Sequence, residues 1–216
     1  MLSDKEAEGM KNNSDIKVML KEAGILFAIT LIAGLVLGFV YELTKEPIEV
    51  QRQKAVQKAC AAVFSEASEF QELSYTVDDT LAASLAEDGV TIGTVYKALN
   101  ADKAVLGYVL QATSSEGYGG NIVLYMGVTL DGVLNDISLL EISETPGLGM
   151  QAEKVLVPQF HDKKTDSFSY TKTGSQSDRE IDAISGATIT TRAITNAVNG
   201  GLRVAKELMQ GGGANE

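Results

Sequence analysis

From Ala23 to Tyr41 the chain runs nineteen positions without a charge (AGILFAITLIAGLVLGFVY). Apolar side chains would fall on every face of a helix formed there, so no polar face remains for water. At 1.5 Å per residue such a helix is about 28 Å long, close to the roughly 30 Å hydrocarbon core of a bilayer. Eleven of the nineteen are Ile, Leu, Val or Phe, which favours insertion by about 3–6 kcal/mol. Charged Glu42, Lys45 and Glu46 follow the run instead of a small-residue cleavage site, so it reads as an uncleaved anchor rather than a signal peptide. Gly34 and Gly38 form a G-x-x-x-G step, read equally as ordinary glycine usage or as a face for a neighbouring helix.

Beyond the anchor the pattern becomes polar, with Val56, Ala59, Val63 and Phe64 at helical spacing. Pro47 suits the first turn of a helix, so a separate amphipathic stalk is expected from Pro47 to about Leu73. Cys60 falls on or near its apolar face and reads as a small buried hydrophobe. Residues 75–88 are acidic and rich in small side chains, a loop or weak helix. From residue 89 to 142 the pattern changes again. VTIGTVYKAL, AVLGYVLQAT, NIVLYMGVTL and GVLNDISLLEI are short, rich in β-branched residues and separated by turn signals. Asp131-Gly132 between two of them marks a hairpin, and an antiparallel sheet is predicted. Thr188 to Gln210 is apolar at Ile194, Val198, Leu202, Ala205 and Leu208/Met209, a helix closed by Gly211-Gly212-Gly213. The expected class is α+β. Its organisation is a tail 1–22, a transmembrane helix 23–41, a stalk and connecting segment 42–88, a sheet domain 89–210 and a flexible tail 211–216.

Composition narrows the chemistry. With 18 Lys and Arg against 29 Asp and Glu in 216 residues, the net charge is −11. This balance argues against nucleic acid as a partner, because phosphate neutralisation needs clustered cations. One Cys and one His, Cys60 and His161, exclude a disulfide framework and multi-His or multi-Cys metal centres. Orientation in the membrane stays open. Lys5, Lys11, Lys17 and Lys21 precede the span and Lys45, Arg52, Lys54 and Lys58 follow it, a tie under the positive-inside rule.

Three stretches hold more chemistry than folding requires. Gly117-Tyr118-Gly119-Gly120 is either a plain turn or a backbone that approaches a ligand closely. Glu144-Thr145-Pro146-Gly147-Leu148-Gly149 fits a type II turn with Pro and Gly at its centre, either a surface turn or a rigid loop pressing Leu148 on a flat ring. Asp182-Ala183-Ile184-Ser185-Gly186-Ala187-Thr188 runs into the last helix. Asp182 and Ser185 are candidate N-caps there, and Gly186 allows a tight entry. Thr188 then stands where free N–H groups and the helix dipole favour a phosphate. No residue near it in sequence supplies a base that would make it a nucleophile by itself.

Together these motifs, in this order behind one N-terminal span, resemble the FMN-binding domain family. The whole arrangement is similar to the G subunits of Rnf-type ion-translocating electron-transport complexes. The resemblance implies that D-x-x-S-G-A-T is read by a flavin transferase, which joins the FMN phosphate to Thr188 as a phosphoester within the frame of Asp182, Ser185, Gly186 and Ala187. It implies that Glu144, Thr145, Gly147, Leu148 and Gly149 line the flavin, with Tyr118 and Gly119 approaching from the sheet. Relatives often carry His two residues before the loop glutamate, where this chain has Ile142. They also place an aromatic ring near the flavin; with no Trp here, Tyr118, Tyr125 or Phe160 would substitute. The implied role is electron relay through FMN on the extracytoplasmic face of the cell membrane, between ferredoxin and NAD chemistry and Na⁺ or H⁺ movement. Its implied partners are the other members of the complex, the transferase and the lipid bilayer, and it is not an enzyme alone. The alternatives are the C subunit of a sodium-pumping NADH:quinone reductase, a standalone FMN carrier, or a flavin-free anchored scaffold.

Overall fold

The computed structural model describes residues 3–211, with side chains from Ile16 onward. The side chains of Lys5 and Lys11, and the expected tail beyond Gly211, lie outside the described residues. The chain divides into two compact units, one up to Gln53 and one from Lys54. In the first, residues 23–41 are helical and exposed throughout, so Leu37, Phe39 and Val40 present their apolar surface outward. Among the described residues, one helix is long and apolar enough to cross a membrane.

That helix, α1 (Ser3–Val63), corrects one expectation: Pro47 lies inside it and opens no second helix. An interior proline removes one backbone bond and costs about 3 kcal/mol or more. Here good helix formers flank it on both sides, with Glu42, Lys45 and Glu46 before it and Glu49, Gln51, Arg52 and Lys54 after, and they carry the helix through. The expected stalk also stops short. Glu69–Leu73 is not helical but a strand, β1, antiparallel to its neighbour. Its EFQEL sequence has no β-branched residue, so pairing rather than propensity decides it. As an edge strand it exposes Glu69, Gln71 and Glu72, charged and polar cover against further pairing.

A short helix, α2 (Asp79–Glu87), is capped by the Asp78 carboxylate, which accepts from the Thr80 N–H at 2.9 Å. Four longer strands follow: β2 (Val90–Leu99), β3 (Val105–Ser114), β4 (Ile122–Thr129) and β5 (Leu134–Glu141). They form one antiparallel sheet in the order β1-β2-β3-β4-β5. The predicted hairpin closes β4 onto β5, with Gly132 at φ 76° and its N–H bonded to the Thr129 carbonyl at 2.9 Å.

Both faces of the sheet are covered, which is why β4 reads as an unbroken apolar run. Leu110, Ala112, Leu124 and Met126 point into the main core with Ile194, Val198 and Leu202 of α4 (Thr188–Met209). Val109, Tyr125 and Ala98 point the other way, onto Ala59, Cys60, Val63 and Phe64 at the end of α1. The predicted apolar stripe and the buried Cys60 are both present. Between β5 and α4 the chain is mostly irregular. It holds one turn of α-helix, α3 (Ala152–Val155), flanked by 3-10 turns at Gly149–Gln151 and Val157–Gln159, and a parallel pair, β6 (Ser169–Thr171) with β7 (Glu180–Asp182). Three-residue strands leave no periodicity to read.

Phe160 pins this irregular segment. It is fully buried and meets Phe168 edge-on, ring centroids 5.0 Å apart at 81°. Phe160→Ala is expected to cost about 3–5 kcal/mol, read as a lower unfolding midpoint of the full chain in detergent.

Candidate functional site: a cleft at the start of the last helix

The three chemically rich stretches converge on one cleft, and a single carboxylate joins them. Gly117–Gly120 links β3 to β4 and lies flat on the chain at residue 143: a Cβ on Gly119 would stand 1.8 Å from the Ser143 carbonyl oxygen. Only glycine allows that approach. Glu144 is 6% exposed. Its Oε1 accepts the N–H groups of Tyr118 at 2.8 Å and Gly119 at 3.3 Å, and its Oε2 accepts the Thr190 hydroxyl at 2.9 Å. One side chain therefore ties the glycine loop to its own loop and to the first turn of α4.

The predicted type II turn forms. Gly147 has φ 79°, and the Leu148 N–H donates to the Thr145 carbonyl at 3.1 Å. The turn leaves Leu148 40% exposed and Gly149 buried. A Cβ on Gly149 would come within 2.6 Å of the Thr190 hydroxyl oxygen and 2.8 Å of Glu144 Oε2. The loop thus presses against the base of α4.

The D-x-x-S-G-A-T stretch enters α4 differently from expectation. The N-cap is Ala187, with no side-chain cap. Asp182 and Ser185 do not cap the helix: Asp182 closes β7, and its carboxylate accepts the Ser175 N–H. The Asp182 backbone also exchanges two bonds with the Gln159 amide, at 2.7 and 3.2 Å. It lies five positions before the cap, too far for a side chain already committed elsewhere. Thr191 performs the tie instead. Its hydroxyl donates to the Ala187 carbonyl at 3.0 Å and accepts the Ile184 N–H at 3.2 Å. Gly186, at φ 79°, makes the tight entry.

Thr188 is the first residue of α4, and the N–H groups of a helix's first residues have no acceptor within the helix. A cleft of about 480 Å³ opens beside it, lined by Tyr118, Glu144, Thr145, Leu148, Gly149, Gly186, Ala187, Thr188, Ile189 and Thr190. Of the residues expected from sequence, Gly119, Gly147, Asp182 and Ser185 do not line it. Two lining residues, Ile189 and Thr190, escape a reading of the sequence. Their signal is faint: an apolar residue and a second threonine directly after Thr188. Among the proposed ring partners only Tyr118 lines the cleft, 71% exposed. Tyr125 and Phe160 are buried in the two cores and are excluded from it. A second cavity of about 550 Å³ lies between the β4–β5 hairpin and the end of α4. Two of its cations are already paired, Lys206 with Asp166 at 3.1 Å and Arg203 with Asp88 at 2.5 Å.

Residues 117–203, which contain every wall of the cleft, match the FMN-binding domain. Residues 10–63 match the RnfG N-terminal region. The G subunit of the Na⁺-translocating ferredoxin:NAD⁺ oxidoreductase complex of Acetobacterium woodii is 30% identical over 197 residues, covering 90% of this chain and 95% of that protein. Its counterpart in the proton-translocating ferredoxin:NAD⁺ oxidoreductase complex of Clostridium ljungdahlii is 34% identical over 187 residues, covering 82% and 90%. The chain belongs to the G-subunit family of these ion-translocating oxidoreductase complexes. The family member from the ion-translocating oxidoreductase complex of Methanosarcina acetivorans is 27% identical over 191 residues, 86% of this chain and 94% of that one. With such relatives, and with one apolar N-terminal helix, this G-type chain is a membrane-anchored protein carrying an FMN-binding domain.

The cleft suits that cofactor. Its volume lies within the range of small-molecule and cofactor sites. Leu148, 40% exposed, and Ile189, 44% exposed, supply apolar surface for a flat ring system. The start of α4 supplies N–H groups and a positive dipole end for a phosphate.

Proposed function

We propose that this protein relays electrons through an FMN held by a phosphoester to the Thr188 hydroxyl, within a complex coupling ferredoxin and NAD redox chemistry to ion translocation. The observation that carries the reading is Thr188 itself, at the first position of α4 and in the wall of the cleft. It also ends the D-x-x-S-G-A-T sequence. No base stands beside it in sequence, so a flavin transferase performs the attachment. The bound flavin supplies the redox chemistry, and the protein supplies position and electrostatics. Leu148, Ile189 and Tyr118 offer the ring an apolar bed, Gly149 and Gly186 let the backbone come close, and the α4 N-terminus takes the phosphate. Thr145 offers a polar contact at the rim, and Ser185, Gly186 and Ala187 frame the attachment site for the transferase.

The other members of the complex, the transferase and the bilayer are the partners of this reading. The FMN domain faces the extracytoplasmic side. That orientation is supported by the family likeness, since the flanking Lys and Arg are evenly divided.

The test is intact and tryptic mass after denaturation, on full-length protein coexpressed with a flavin transferase. The expected mass gain is one FMN less one water, localised to the peptide of residues 180–192. An unmodified denatured chain would overturn the covalent reading and favour a flavin-free anchored module.

A further inference from the structure

Glu144 is buried, yet none of the ion pairs among the described residues includes it. Arg192, two residues beyond Thr190 on α4, pairs instead with Glu116 at 3.5 Å. The partners of Glu144 are two amide N–H groups and a hydroxyl. Such dipoles stabilise a carboxylate without cancelling its charge. A neutral amide of the same shape could also make the three bonds, with its oxygen accepting from Tyr118 and Gly119 and its NH₂ donating to the Thr190 oxygen. Bracing the loops therefore does not require a charge. The charge has a separate consequence, because Glu144 lines the same cleft as Thr188.

We propose that Glu144 is a positioning residue that also acts electrostatically, bracing the cleft while its negative charge holds the potential of the flavin bound there low. This rests on the cleft being the FMN site. Two electrons and one proton convert an oxidised flavin into its anionic reduced form, a net gain of one negative charge. A fixed carboxylate in a wall shielded from water opposes that gain far more than one in bulk solvent. The oxidised form is favoured, so a stronger reductant is needed to reduce the flavin.

The experiment uses full-length wild type, Glu144→Gln and Thr190→Val, each coexpressed with a flavin transferase. Loading is read by in-gel flavin fluorescence. The potential is read by spectroelectrochemical titration with dithionite and mediators, and the unflavinylated proteins are compared by thermal unfolding. Glu144→Gln is expected to load flavin and to shift its potential upward, with an unfolding midpoint near that of wild type. Thr190→Val keeps the charge but removes one of the three donors that partly offset it, so its potential is expected below that of wild type. A loaded Glu144→Gln protein with an unmoved or lower potential overturns the proposal while leaving the FMN site intact. If Glu144→Gln does not load, Thr190→Val decides: a downward shift supports the proposal, and an unchanged or upward one overturns it. Wild type without flavin overturns the site assignment, and this proposal with it.

Discussion

Thr188→Val is expected to give a folded, membrane-anchored protein with no covalently held flavin. Valine matches threonine in shape and differs little in helix propensity. Among the described residues, no side-chain hydrogen bond is formed by the Thr188 hydroxyl. Its loss therefore leaves no buried partner unsatisfied, and the stability change should stay within about 0.5 kcal/mol. Covalent loading, in contrast, should fall from complete to none, because the ester oxygen has been removed. The neighbouring threonines provide the control. The Thr191 hydroxyl makes two buried bonds, to Ala187 and Ile184, so Thr191→Val is expected to cost about 1–3 kcal/mol yet retain the flavin. In-gel fluorescence after denaturation separates the two effects. A fluorescent Thr188→Val band would move the attachment elsewhere.

Gly119→Ala is expected to damage both stability and the cleft. The added Cβ would stand 1.8 Å from the Ser143 oxygen and 2.9 Å from its carbonyl carbon. Both are backbone atoms, so no side chain can swing aside. The glycine loop must lift away from residue 143, and the Tyr118 and Gly119 N–H groups then leave Glu144 Oε1. Strain of about 1–3 kcal/mol combines with about 1–3 kcal/mol for a buried carboxylate left short of donors. An unfolding midpoint lower by roughly 4–24 °C follows for a domain of this size, together with reduced flavin loading. Gly120→Ala is the contrast: a Cβ there meets nothing within 4 Å, although its φ of 137° still strains any other residue. A Gly119→Ala protein that melts and loads like wild type would show that the loop has room to rearrange.

The family likeness and the local motifs were legible in the sequence because each depends on residues close together in the chain. The Pro146-Gly147 turn and the start of α4 at Thr188 are of this kind: one proline, one glycine or one change of periodicity decides each. The parts not legible were those decided by partners far away in the chain. β1 is a strand because β2 offers it an edge, with Phe70 opposite Ala98. Asp182 and Ser185 looked like caps by residue type, but Asp182 is held by Ser175 and Gln159. The cap position is tied by Thr191, a residue already inside the helix. Tyr125 and Phe160 were reasonable ring partners by chemistry and unavailable by burial.

By itself the sequence determined the apolar span, the four main strands, the C-terminal helix and the threonine at its start. Periodicity and short motifs encode those features within a few residues. Only the tertiary structure decided that the three motifs form one cleft, and how. Glu144 reaches Tyr118 across 26 positions and Thr190 across 46, and no local pattern specifies such partners. A buried carboxylate must find donors wherever the packed chain supplies them. In this fold the donors come from the glycine loop and from the first turn of the last helix, and satisfying that one charged group draws the two segments together.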